Sequence, residues 1–242
     1  MCPRGPTCWE RKSPGGRSTG KSWSRPGSSP GSCSSRRPGA RSCHRELTLF
    51  IELTDLLRCP EDHVEQFLVL LPDTIVERSV QAGSLGCPVC GKTYPITDGI
   101  ARLGAVPPLS ESDTVLTAES VEALVGLSGP GGYLALVGVG GALCRNLAEQ
   151  AEGVHIVGVN PPSDRRAVPM VSLLEAARIP LKTRSVRGVV LAPGYAFSSV
   201  WLEDAKRVLL PGLRIVGEGP VPAIDGLEVI ASAGGVWVGM PT

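Results

Sequence analysis

Tyr133-Leu134-Ala135-Leu136-Val137 is an unbroken apolar run, followed at once by Gly138-Val139-Gly140-Gly141 and then by Leu143, Leu147 and Ala148 at helical spacing. A run without polar alternation is what a strand buried on both faces requires, and such strands belong to parallel sheets. The glycines let the backbone turn sharply, and the helix that follows presents unpaired N–H groups at its start. Strand, glycine turn and helix together bring a nucleotide-like ligand close to backbone N–H groups. His155-Ile156-Val157-Gly158-Val159-Asn160 supplies a second strand. The expected class is α/β.

Further along, Glu175-Ala176-Ala177-Arg178-Ile179-Pro180-Leu181 precedes a strand at Gly188–Leu191. Trp201 to Val216 reads as helix, tight turn at Pro211-Gly212, and strand, and Leu227–Ala231 with Gly235–Gly239 reads as a closing antiparallel pair. The stretch Arg207-Val208-Leu209-Leu210-Pro211-Gly212-Leu213-Arg214-Ile215-Val216 resembles the RVLxPGGxLxV signature of class I S-adenosylmethionine-dependent methyltransferases. A Rossmann dehydrogenase is the structural alternative, and it does not predict the C-terminal hairpin.

The resemblance implies a cofactor held by Gly138 and Gly140, by Asn160 at its ribose, and by Glu175 near its adenine. It also exposes departures. Where the family carries an acidic residue at the end of the first strand, this chain has Leu136, and where an acidic residue ends the second strand it has Asn160. A carboxylate accepts two ribose hydroxyls well; an amide accepts without charge, at a cost of about 1–2 kcal/mol. The third glycine is Ala142, and Ser185-Val186-Arg187 stands where the family has Ser-Phe-Asp. After the fourth strand, Ala192-Pro193-Gly194-Tyr195-Ala196-Phe197 offers Tyr195 as its one titratable group, so no general base is apparent. Methyl transfer to a strong nucleophile can proceed through proximity alone.

Upstream, Leu53, Leu56 and Leu57 mark a short helix ending before Cys59-Pro60. A strand is expected over His63–Leu71, broken by Pro72-Asp73, with a further turn at Gly83-Ser84. Cys87-Pro88-Val89-Cys90-Gly91 is a zinc-knuckle turn, in which both thiolates point to one centre and the glycine relieves the bend. Leu56-Leu57-Arg58-Cys59-Pro60, and later Cys87 through Tyr94-Pro95-Ile96-Thr97-Asp98-Gly99-Ile100, resemble the small zinc-ribbon proteins that activate tRNA and protein methyltransferases. That family often carries a second cysteine three residues after the first, where this chain has Asp62, beside His63. Two outcomes stay open: a zinc site of Cys59, His63, Cys87 and Cys90, or a metal-free ribbon held by its apolar core.

Residues 1–46 contain no Val, Ile, Leu, Phe or Tyr, and Gly, Pro and Ser make up 23 of the first 45. Such a segment cannot offset the entropy of ordering and is expected to be a disordered basic arm. Residues 1–45 hold ten of the 24 Lys and Arg residues against a single acidic residue, so their charge is +9 while residues 46–242 carry −8. The arm reads as translated sequence upstream of the natural start, or as a contact for an anionic surface. Gly15 to Ser22 fits GxxxxGK[ST], but no strand precedes it and Pro26 follows, so a phosphate loop is rejected. Asn160-Pro161-Pro162-Ser163 likewise reads as a turn, since the Asn-Pro-Pro-aromatic loop of amino-methyltransferases follows the fourth strand. Cysteines without an export signal, and no membrane-length apolar run, point to a cytoplasmic protein.

The expected fold is therefore α/β: a Rossmann-like class I methyltransferase fold with an N-terminal small zinc-ribbon-like module and a disordered N-terminal arm. Its parts are the arm at 1–46, the ribbon at 47–104, a linker with a short helix at 105–129 and the methyltransferase-like domain at 130–242. The departures favour a pseudoenzyme, weak or degenerate in S-adenosylmethionine binding and acting as a partner or regulatory subunit through its ribbon. The alternatives are an active methyltransferase on a small molecule or RNA, and a nucleic-acid-binding adaptor. No membrane partner is expected.

Overall fold

The computed structural model describes residues 49–108, 114–162 and 168–242. The expectations for the basic arm, its phosphate-loop-like stretch and Ser163 lie outside these residues.

Strand β1 (Leu49–Phe50) leads into a 3₁₀ turn over Ile51–Leu56, where the apolar spacing placed a short helix, and Leu53 and Leu57 are fully buried. Strands β2 (Val69–Val76), β3 (Ser79–Gly86), β4 (Thr93–Thr97) and β5 (Ile100–Leu103) form an antiparallel meander. Two expectations are corrected here. The strand placed over His63–Leu71 begins only at Val69 and runs on through Pro72-Asp73, because β2 pairs on one side alone and an edge strand tolerates proline. Gly83-Ser84 is not a turn but lies inside β3, opposite the irregularity at Pro72, where a Cβ on Gly83 would approach the Leu71 carbonyl oxygen to 2.6 Å. The β4–β5 turn is Asp98-Gly99, both at positive φ (52° and 69°), which is why the hairpin needs this residue pair.

Helix α1 (Ala118–Val125) starts from a capping box in which Thr117 and Ser120 bond reciprocally. Then come β6 (Tyr133–Val137), α2 (Gly141–Gln150), β7 (His155–Val159), β8 (Val171–Ala176), β9 (Gly188–Leu191), α3 (Ser199–Val208), β10 (Ile215–Glu218), β11 (Leu227–Ala233) and β12 (Val236–Pro241). The sheet order is β8-β7-β6-β9-β10-β12-β11, parallel through β10, with β12 antiparallel against it. This is a Rossmann-like sheet of the class I methyltransferase type. Because β6 leads outward to β7 while β9 leads the opposite way to β10, right-handed crossovers put α2 and α3 on opposite faces. The topological switch point falls between β6 and β9.

One pairing was not foreseen. Strand β5 bonds in parallel to β8, with Ala101 opposite Leu174 and Arg102 opposite Glu175, so the N-terminal meander and the Rossmann-like strands share one sheet. The connection from β8 to β9, residues 177–187, contains no helix. Among the described residues, no helix is long and apolar enough to cross a membrane.

Candidate functional site

At the switch point, Gly138 takes φ 69°, ending β6, and its N–H donates to the Val159 carbonyl at 2.8 Å. Gly140 caps α2, and a Cβ there would meet nothing within 4 Å. Gly138 differs: a Cβ on it would collide with the ring of Tyr195. That ring follows β9 in the turn Ala192-Pro193-Gly194-Tyr195, which closes through the Tyr195 N–H on the Ala192 carbonyl. Trp201 of α3 packs edge-on against it at 4.8 Å between centroids, leaving Tyr195 6% exposed. Burial raises the Tyr195 phenol, opposed by a hydrogen bond with the Asn160 side chain.

Asn160 ends β7 at φ 53° and is buried. Its Nδ2 donates to the Ala176 carbonyl and its Oδ1 accepts from the Ala176 N–H, both at 2.8 Å. The side chain thus copies one rung of a β-ladder at the end of β8. Leu136 is fully buried between Gly158 and Val190 in the centre of the sheet. Glu175 lies on β8 and accepts from Arg102 Nε at 2.9 Å, an ion pair joining β8 to β5. Gly138, Gly140 and Asn160 therefore share the carboxyl end of the sheet, while the Glu175 carboxylate is engaged by β5.

The second constellation lies in the N-terminal meander. The ligand atoms of Cys59, His63, Cys87 and Cys90 all lie within 4.8 Å of one another. The Cys59 and Cys90 sulfurs are 3.7 Å apart, and Cys87 Sγ is 3.5 Å from His63 Nε2. A tetrahedral zinc with ~2.3 Å bonds to sulfur needs ligand pairs about 3.8 Å apart. His63 Nδ1 lies 2.7 Å from the Val64 carbonyl, and donation there frees the Nε2 lone pair for a metal. The knuckle closes through Gly91 N–H to the Cys87 carbonyl, with Gly91 at φ 70°. Burial opposes ionisation of Cys87, but the Cys90 and Val89 N–H groups and the neighbouring thiols bring it down to about 7. Burial raises the Cys59 thiol, against the Tyr94 hydroxyl 3.3 Å away. Tyr94 in turn donates to Glu61, which pairs with Lys92 at 2.7 Å.

Four participants are not identified as such by the sequence. Tyr195 figures in the sequence only as a titratable group, not as a ring that packs against Gly138. Tyr94 and Glu61 support the cysteines from outside the ligand set. Glu218 ends β10 almost fully buried, and its Oε1 accepts from Thr114 Oγ1, Val115 N and Leu116 N at 2.7–3.1 Å. A carboxylate closing an apolar strand, as in Ile215-Val216-Gly217-Glu218, was the available signal.

No protein-family model matches the chain, and no curated protein does. Solved structures that it resembles include a protein of Anabaena variabilis ATCC 29413 named as a methyltransferase of an antibiotic biosynthesis pathway. The identity there is 25% over 42% of this chain and 43% of that one, with a TM-score of 0.35. A complex of the Haloferax volcanii Trm112 methyltransferase activator with a methyltransferase matches at 18% identity, over 40% of this chain and 50% of that one, with a TM-score of 0.33. A Methanococcus maripaludis protein named as an S-adenosyl-L-methionine-dependent methyltransferase matches at 15% identity, over 51% and 82%, with a TM-score of 0.39. The chain thus spans half or less of the first two. The methyltransferase-type fold rests on the strand order itself.

Proposed function

We propose that this chain is a methyltransferase-fold protein, weak or degenerate in S-adenosylmethionine binding, that acts as a partner or regulatory subunit, with one zinc ion held by Cys59, His63, Cys87 and Cys90. The observation that carries the reading is the Tyr195 ring, which takes the space in front of Gly138 where the cofactor would approach the glycine turn. Asn160 adds to it, since its amide serves Ala176 and Tyr195 rather than a ribose. The residues as placed do not suit the cofactor.

They do suit zinc. Three sulfurs and one imidazole nitrogen form a closed four-ligand set, which supplies folding energy rather than an open coordination position. A protein partner is favoured by apolar side chains on and beside the edge strand β2, where Phe67 and Leu71 are more than half exposed. Isothermal titration of S-adenosylmethionine into the full chain tests the reading: no saturable heat is expected at millimolar ligand. Micromolar affinity would overturn it and make the chain an active methyltransferase candidate.

A further inference from the structure

The β8–β9 connection has an unusual way of satisfying its backbone. A helical crossover bonds its own N–H and C=O groups; residues 177–187 have no helix, so their polar groups must find partners elsewhere. Arg187 N donates to the Tyr133 carbonyl of β6 at 2.8 Å; most of the others find partners in two places. On the ribbon side, Arg58 N donates to the Pro180 carbonyl at 2.9 Å, and Lys182 N donates to the Leu56 carbonyl at 2.8 Å. Thr183 donates through N and Oγ1 to Glu65 Oε2 at 3.1 and 2.6 Å. On the other side, Asp204 of α3 accepts from Ile179 N at 3.0 Å and from the Arg178 guanidinium, while Arg207 donates to the Ile179 and Leu181 carbonyls at 2.8 and 2.7 Å.

The ribbon residues that do this holding sit beside the metal ligands. Arg58 immediately precedes Cys59, and Glu65 lies two residues after His63. Glu65 also joins both sets of contacts, since it pairs with Arg207 Nη1 at 3.1 Å and faces Arg58 Nε at 3.6 Å. From outside the ligand set, the loop between Cys59 and His63 is tied through Glu61, to Lys92 at 2.7 Å and to the Tyr94 hydroxyl at 3.3 Å. Its described backbone bonds are Cys59 N to the Gln66 carbonyl and His63 N to the Glu61 carbonyl. Arg58 is held as well by its own bonds to the Asp55 and Leu57 carbonyls, so it is chiefly Glu65, beyond His63, whose position depends on how the ligands are held.

Building on the zinc reading above, we infer that the four-ligand cluster is a metal-dependent fastener for the β8–β9 crossover: bound zinc locks the loop carrying Arg58 and Glu65, and that loop takes the place of the absent crossover helix. Ala176, the partner of Asn160, immediately precedes the crossover, so the state of the cluster reaches the carboxyl end of the sheet through main chain. A local equilibrium of this kind is read by amide exchange, which reports opening segment by segment.

The experiment is hydrogen–deuterium exchange on the full-length protein, zinc-loaded and chelator-treated, with metal content measured on both samples and on Glu65→Gln. Chelation is expected to speed exchange about tenfold or more at Lys182 and Thr183, with Val216 and Val238 in the sheet centre unchanged. Glu65→Gln, which keeps all four ligands, is expected to retain its zinc and still speed exchange at Thr183. If the loaded protein loses zinc and only 57–66 and 87–94 open, the fastener is overturned while the zinc reading stands. Equal opening at Val216 and Val238 also overturns it, because the metal would then hold the whole fold. A protein that takes up no zinc overturns both, and metal content alone shows it.

Discussion

The ring of Tyr195 lies where a side chain on Gly138 would have to go. The two residues belong to the loops on either side of the switch point, one after β6 and one after β9, where an open α/β sheet ordinarily receives its ligand. The glycine that the sequence offers as a cofactor contact is thereby used for packing inside the chain.

A mutational cycle tests this contact. Gly138→Ala is expected to cost about 3 kcal/mol: about 1 for a side chain at φ 69° and the rest for the collision with the ring. In a Tyr195→Ala background only the backbone share, about 1 kcal/mol, should remain. Urea unfolding of the four proteins measures it, and an unchanged cost in both backgrounds would remove the contact from the argument.

Asn160→Asp restores, on sequence grounds, the missing ribose acceptor. In the fold it removes the donor to the Ala176 carbonyl and sets a buried carboxylate beside that oxygen. A loss of about 1–3 kcal/mol is expected, with no gain in affinity while the Tyr195 ring is in place. Thermal shifts with and without S-adenosylmethionine separate the effects, and tighter binding by the single variant would contradict the filled crevice.

Zinc should be present at one per chain and absent from Cys87→Ser plus Cys90→Ser, as read by elemental analysis. The double variant should also melt lower, since a structural metal contributes its binding energy to folding. Equal metal content in the two proteins would exclude the cluster.

Acid should weaken the fold through His155. Burial holds this imidazole down to about 4, between the rings of Phe50 and Tyr133, with Nε2 3.0 Å from Ser172 Oγ and Nδ1 unpartnered. The unfolded chain takes up the proton below its ordinary 6.5, the folded chain only below about 4, so the unfolded state binds more protons in between. Stability is full above pH 6.5 and falls as pH drops through that window, by up to about 1.4 kcal/mol per unit. Urea midpoints at pH 7 and 4.5, compared with His155→Leu, isolate this share; an identical pH slope in the variant would assign the effect to other groups.

Local chemistry made much of this protein legible before any coordinates. The apolar runs at Tyr133–Val137, His155–Val159 and Gly188–Leu191 are strands because only a doubly covered sheet can bury them, and Pro211-Gly212 is a turn because its backbone permits little else. The four residues expected around a metal are also together, since CxxC spacing already sets two of them on one knuckle. The edge strand was harder to read: Pro72 signals a break by propensity, yet it is tolerated where no neighbour needs its N–H.

What sequence alone decided was the type and order of β6, α2 and β7 and of the elements from β9 to β12, because these follow from hydrophobic period and turn residues within short windows; β8 was not read. The pairing of β5 with β8, the Arg102–Glu175 ion pair, the two hydrogen bonds between the Asn160 side chain and the Ala176 backbone and the placing of Tyr195 over Gly138 were decided only by tertiary structure. Each joins residues from separate elements, and no local rule specifies which buried polar group or ring will occupy a given space. Gly138 and Asn160 therefore matched a cofactor pattern in the sequence, while the folded chain decides whether anything but its own side chains can reach them.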